Sequence, residues 1–216
     1  MLPPGGTKRL RLTTMSRSRG IVLVATALVL CGCGGQRHHA VGPVDAIATF
    51  SAEPAHVNAS FAALDQLALR DPGGLRSAAY AKLSSKDPNV RYAAVYALSL
   101  TATKGASLNA LVPIIRSRDV SERILAAETL VAQRDKRGVP VLIDALDSTA
   151  PFAHWAPPRR AWEEAQRALL RFVPEDLGLS RARTLSAASA AKRAWSRWWG
   201  RHGAGVRLKP IRIGAP

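Results

Sequence analysis

A run of twelve residues recurs 32 positions further along the chain: residues 87–98 read DPNVRYAAVYAL and residues 119–130 read DVSERILAAETL. Asp87 aligns with Asp119, Arg91 with Arg123, Ala94 with Ala126 and Leu98 with Leu130. A period of this length marks a fold assembled from copies of one supersecondary unit, each unable to bury its apolar face alone. A third, looser copy places Trp162, Ala165, Ala168 and Leu169 in the slots of Arg91, Ala94, Ala97 and Leu98. Many of the apolar residues are Ala and Leu, which favour helix over strand.

The pattern within each copy is that of a capped helix. Asp87 and Asp119 stand where an N-cap carboxylate accepts orphan backbone N–H groups. Pro88 occupies the first helical position, where its missing donor costs nothing. Val90, Ala94, Ala97 and Leu98 then share one helical face. Shorter amphipathic helices are predicted before each copy, at 75–83, 108–115 and 139–146, with Lys104-Gly105 and Arg137-Gly138 as punctuation. A helix over 57–69, ended by Asp71-Pro72-Gly73-Gly74, supplies an N-terminal cap.

The D-x-x-V-R-x-x-A-x-x-A-L run at 87–98, together with GVPVLIDAL at 138–146, resembles the HEAT-repeat family, in particular the short bacterial repeats also called PBS lyase HEAT-like repeats. The resemblance covers roughly residues 75–172. It implies an all-α fold: a short right-handed α-solenoid of HEAT-like helical hairpins. It specifies a scaffold and leaves function open.

Two segments depart from the repeat. The segment 147–158 inserts STAPFAHWAPP, whose prolines predict a non-helical loop presenting His154 and Trp155. After the break VPEDLGLS at 173–180, residues 187–202 predict a helix with Trp195, Trp198 and Trp199 on one face. Short-repeat proteins resemble this arrangement at their C-terminal ends, which implies a Trp-rich capping helix. Lys192, Arg193, Arg197 and Arg201 are read as its opposite face, a basic surface suited to anions or a membrane.

The N-terminal third carries a different signal. Residues 21–30, IVLVATALVL, match a signal-peptide apolar run and fall short of the roughly 20 residues that span a bilayer. Arg17 and Arg19 precede it, and Met15 is an alternative start. Leu30-Cys31-Gly32-Cys33 resembles a bacterial lipobox with Cys33 as the acylated residue. The resemblance implies an exported, membrane-anchored lipoprotein with signal 1–33, and Gly34 after the cysteine favours the outer membrane. Residues 34–55 read as a flexible linker, 56–202 as the repeat domain and 203–216 as a basic C-terminal tail.

The net charge of +16 is unevenly distributed. Residues 34–150 hold 13 basic and 11 acidic side chains, whereas residues 151–216 hold 13 basic and four acidic. The repeats are therefore nearly neutral and the C-terminal end is strongly basic. Catalytic signatures such as H-E-x-x-H, G-x-S-x-G and a glycine-rich phosphate loop are missing from the sequence. His38, His39, His56, His154 and His202 lack metal-ligand spacing. Glu163-Glu164 and Glu175-Asp176 read as solvated pairs.

The expectation is a non-enzymatic scaffold, without cofactor or metal, that binds another protein of the cell envelope. The candidate binding residues are Arg91, Tyr92, Tyr96, Arg123, Glu128 and Trp155. A nucleic-acid-binding domain using the basic end, or a HEAT-like lyase-type enzyme subunit, is the alternative.

Overall fold

Asp71, Asp87 and Asp119 each begin a helix, their carboxylates accepting backbone N–H groups of Gly74, Asn89, and both Ser121 and Glu122. The computed structural model describes residues 41–102, 105–152 and 159–209, whose regular structure is almost entirely helical, an all-α fold. The helices are α1 (Pro43–Ala48), α2 (Val57–Arg70), α3 (Pro72–Lys82), α4 (Pro88–Thr101), α5 (Ala106–Leu111), α6 (Val120–Ala132), α7 (Gly138–Ala145), α8 (Ala161–Phe172) and α9 (Leu185–His202). Cys33, His38, His39, His154, Trp155 and residues 210–216 lie outside the described residues. No helix among the described residues is long and apolar enough to cross a membrane.

One row of helices runs through the described residues: α2 touches α4, α4 touches α6 and α6 touches α8. Outside it, α1 packs on α3 and α7 on α9. The row is met from the side by α3 on α4, by α5 on α6, and by α7 on both α6 and α8. The predicted helix at 108–115 is interrupted: α5 stops at Leu111, and Ile114–Arg116 form a separate 3-10 turn. Pro113 lacks the backbone donor that would continue the α-helix.

The repeat positions are core positions. Ala94, Ala97 and Leu98 in α4, Ala126 and Leu130 in α6, and Ala165 and Leu169 in α8 are fully buried. Alanine at these sites lets neighbouring helices approach closely. Gly138 serves the same end. A Cβ there would strike the carbonyl oxygen of Ala127 and the Val131 side chain across the α6–α7 contact. The glycine read as hairpin punctuation is thus a packing requirement.

Two boundaries are corrected. The segment 34–55 is not a linker throughout. Pro43–Ala48 form α1, with Ile47 and Phe50 buried, and Phe50 meets Phe61 edge-on at 5.2 Å between ring centroids. Burial of two large apolar side chains offsets the small intrinsic stability of a six-residue helix. Likewise 203–216 is not a free tail up to Lys209. Val206 and Leu208 are buried, and the Lys209 N–H donates to the Phe172 carbonyl at 2.7 Å.

Of the insertion before α8, residues 153–158 lie outside the described residues. Its described ends pair as a two-residue antiparallel ribbon, Pro151 opposite Arg160 and Phe152 opposite Arg159. Phe152 is buried and so anchors the loop base. Beyond α8, Gly178 adopts the left-handed conformation (φ 82°) that opens the turn into a 3-10 segment at Leu179–Arg181. Thr184 then caps α9. Trp195 of α9 is completely buried, with Trp198 and Trp199 packed beside it against the same core.

Candidate functional site

The two repeat arginines make the same contacts, and these contacts are internal. The Arg91 guanidinium donates to the carbonyls of Ser85 and Lys86, and Arg123 donates to those of Ser117 and Arg118. In both copies the preceding serine hydroxyl also accepts the N–H of the capping aspartate. Each arginine therefore clasps the loop that enters its own helix. The serine stands 32 residues apart in the two copies, as the aspartate and arginine do, so the repeat runs from Ser85 and Ser117. Arg91 additionally pairs with Glu122 of α6 at 3.0 Å. Glu122 is almost wholly buried and accepts a second bond from the Ser117 hydroxyl at 2.6 Å.

Tyr92 is removed from the candidate surface. Its side chain is fully buried between α2 and the region after α1, within ring-contact distance of Phe50 and Phe61. The assumption that positions between the apolar repeats face solvent fails here because α1 covers this side of α4. The pair Glu163-Glu164 is corrected in the same way. Glu163 accepts the Arg160 N–H at the start of α8, whereas Glu164 is buried and ion-paired with both Arg159 and Arg167.

Tyr96 and Glu128 do come together. They line one cleft of about 220 Å³ with Leu125, Thr129, Arg171 and Phe172. Three successive helices of one row, α4, α6 and α8, supply these residues. Leu125 and Phe172 are buried and form an apolar floor, and Arg171 is exposed with its guanidinium 5.1 Å from the Phe172 ring centroid. The Tyr96 hydroxyl donates to Asp65 of α2 at 2.8 Å. Burial and this acceptor raise its pKa well above the ordinary phenol value, so it remains a hydroxyl.

Glu128 is the carboxylate among the described residues that line the cleft. Burial raises its pKa, and the charge of Glu164 adds to the rise, opposed by Arg171 and Arg167. A carboxyl with a raised native pKa stabilises the fold below the unfolded value near 4.5 and loses that contribution as pH rises through the native value. Glu128→Gln is therefore expected to raise Tm at pH 7 relative to wild type. The gain should shrink as pH falls below the unfolded value near 4.5, where Glu128 becomes protonated in the folded and the unfolded chain alike. Thermal melts of the two proteins across that range check the sign. A glutamine variant less stable than wild type at pH 7 would refute it.

The basic set divides. Arg193, Arg197 and Arg201 are exposed along α9. Lys192 is not on their face. At 100° per residue it lies only about 20° from Trp199, and its ammonium bonds the Asp144 carbonyl at 3.0 Å and the Asp147 carboxylate at 2.9 Å. It fastens α9 to the end of α7. No cluster of potential metal ligands occurs among the described residues. Comparison with protein-family models, with curated proteins and with solved structures gave no match.

Proposed function

We propose that this chain is an exported, lipid-anchored α-solenoid of short HEAT-like hairpins that binds another protein of the bacterial envelope. The observation that carries the binding part is the cleft built by α4, α6 and α8. It offers an apolar floor at Leu125 and Phe172 beside the exposed Arg171 guanidinium. An apolar side chain seated in a pocket next to a charge-assisted bond is the usual composition of an interface hot spot. The occupant fitted by this chemistry is a protein segment carrying an aliphatic or aromatic side chain with a carboxylate nearby. The solenoid reading is supported by the row of α2, α4, α6 and α8 and by the loop clasp repeated at Arg91 and Arg123.

Two experiments test the two halves of the proposal. Labelling with a radioactive fatty acid should mark the wild-type chain and leave Cys33→Ser unmarked. Equal label on both would remove the anchor. For the cleft, crosslinking in envelope preparations followed by capture should lose its specific partner with Arg171→Ala combined with Leu125→Ser. Hot-spot truncation predicts a fall of about tenfold or more. Unchanged recovery by a variant that melts normally would move the binding surface elsewhere.

A further inference from the structure

Arg193, Arg197 and Arg201 follow one another at four-residue steps, so their stems rise about 12 Å along α9 and turn through about 80°. All three are exposed, and none joins an ion pair among the described residues. The positions around them are Ser186, Ala190, Ser196 and Gly200, all exposed and all small. The guanidiniums therefore stand proud of a low surface. Beyond Asp176 the sequence contains no further Asp or Glu, while Arg181, Arg183, Arg207 and Lys209 are exposed at the same end. No carboxylate from α9 itself or from the segment after it moderates this field.

We infer that the arginine face of α9 docks on an anionic phospholipid bilayer. The row follows the exposed side of a single helix, which suits a sheet of phosphates. Single-stranded nucleic acid is held instead in a cationic groove with aromatic platforms for the bases. Here none of the tryptophans of α9 offers a free platform: Trp195 is buried, and Trp198 and Trp199 are packed against the core. Basic side chains close to an anionic leaflet each strengthen binding roughly fivefold. The face acts independently of acylation at Cys33 and of the cleft between α4, α6 and α8.

The test uses the full chain with Cys31→Ser and Cys33→Ser, so that no acyl chain contributes. An environment-sensitive fluorophore is placed at Ser196→Cys within the arginine face, or at exposed Ser84→Cys between α3 and α4 as the control. Vesicles of equal parts phosphatidylcholine and phosphatidylglycerol should shift the Ser196→Cys emission to the blue and leave that at Ser84→Cys unchanged. Phosphatidylcholine alone should do neither. The shift should disappear as salt is raised from about 0.1 to 1 M, where the screening length falls from about 10 to 3 Å. Replacing Arg193, Arg197 and Arg201 together by serine should weaken the response about 100-fold, and replacing all three by lysine should preserve it. A response at Ser84→Cys equal to that at Ser196→Cys would overturn the inference. So would a shift with neutral vesicles, a serine triple variant that behaves as wild type, or a short DNA duplex that abolishes the vesicle response. Should the serine variant fail to fold, the salt and neutral-vesicle arms still decide, because they leave the three arginines unchanged.

Discussion

Trp195→Ala is expected to lower Tm by about 10 °C, the largest loss of any single substitution in the C-terminal half. The indole is completely buried in the core formed by α7, α8 and α9. Its N–H donates to the Asp176 carbonyl at 3.1 Å, and its ring meets Trp198 edge-on at 5.6 Å. Truncation of a buried Trp costs about 3–5 kcal/mol through lost transfer energy and the cavity left behind. In a domain of this size each kcal/mol moves Tm by about 2–4 °C. Trp195→Phe separates the contributions. It keeps most of the ring contact and removes one of two donors to the Asp176 carbonyl, which retains the Leu179 N–H, so a smaller loss of about 1 kcal/mol follows. Calorimetric melts of both variants measure this. If alanine and phenylalanine destabilise equally, the hydrogen bond rather than the packing holds α9 in place.

The second large effect falls on the clasp between successive repeats. Arg91→Ala should cost about 3 kcal/mol, because it leaves Glu122 buried with only the Ser117 hydroxyl and frees two loop carbonyls. The arginine side chain is 27% exposed, so solvent screens part of the charge and the lower end of the range for broken buried pairs applies. Arg123 repeats the loop bonds, yet no ion pair reaches it among the described residues, so Arg123→Ala should cost less than half as much. A double-mutant cycle of Arg91→Ala with Glu122→Ala, read by urea unfolding, should give a coupling of about 1–2 kcal/mol. Additivity within about 0.3 kcal/mol would show that the pair contributes nothing beyond its separate packing.

These two sites illustrate what the sequence makes visible and what it hides. The capping aspartates, the alanine faces and the tryptophan helix follow from spacings of two to four residues, and local geometry obliges such neighbours to meet. Tyr96 with Asp65, Arg91 with Glu122, and Gln133 with the Ala102 carbonyl are each 31 residues apart. No local rule pairs them, although their common separation is one less than the repeat. Once two helices of a row are placed side by side, that offset is the rung between them. Tyr92 was misplaced for a related reason. Its burial depends on α1, a helix of six residues whose sequence has too little periodicity to announce it. Lys192 departs from the expected face because a run of basic residues spans more than one side of a helix. The helical wheel separates it from Arg197 by about 140°, and its two aspartate partners lie 45 and 48 residues away. The cleft at Tyr96 and Glu128 was half legible. Those two stand between apolar positions of their helices, whereas Arg171 and Phe172 enter only through the packing of α8 on α6.

Helix α6 contributes to both apolar cores. Leu125, Ala126 and Leu130 belong to the core that reaches back to α1, and Ile124, Ala127 and Val131 belong to the one that reaches forward to α9. Neither core can melt and leave α6 with its burial intact. Loosening the N-terminal half strips one flank of this helix, and loosening the C-terminal half strips the other. Helices packed neighbour on neighbour would otherwise tend to fray from the ends inward. Sharing one wall between the two cores joins the halves into a single cooperative unit, so a disturbance at α9 is felt energetically at α4.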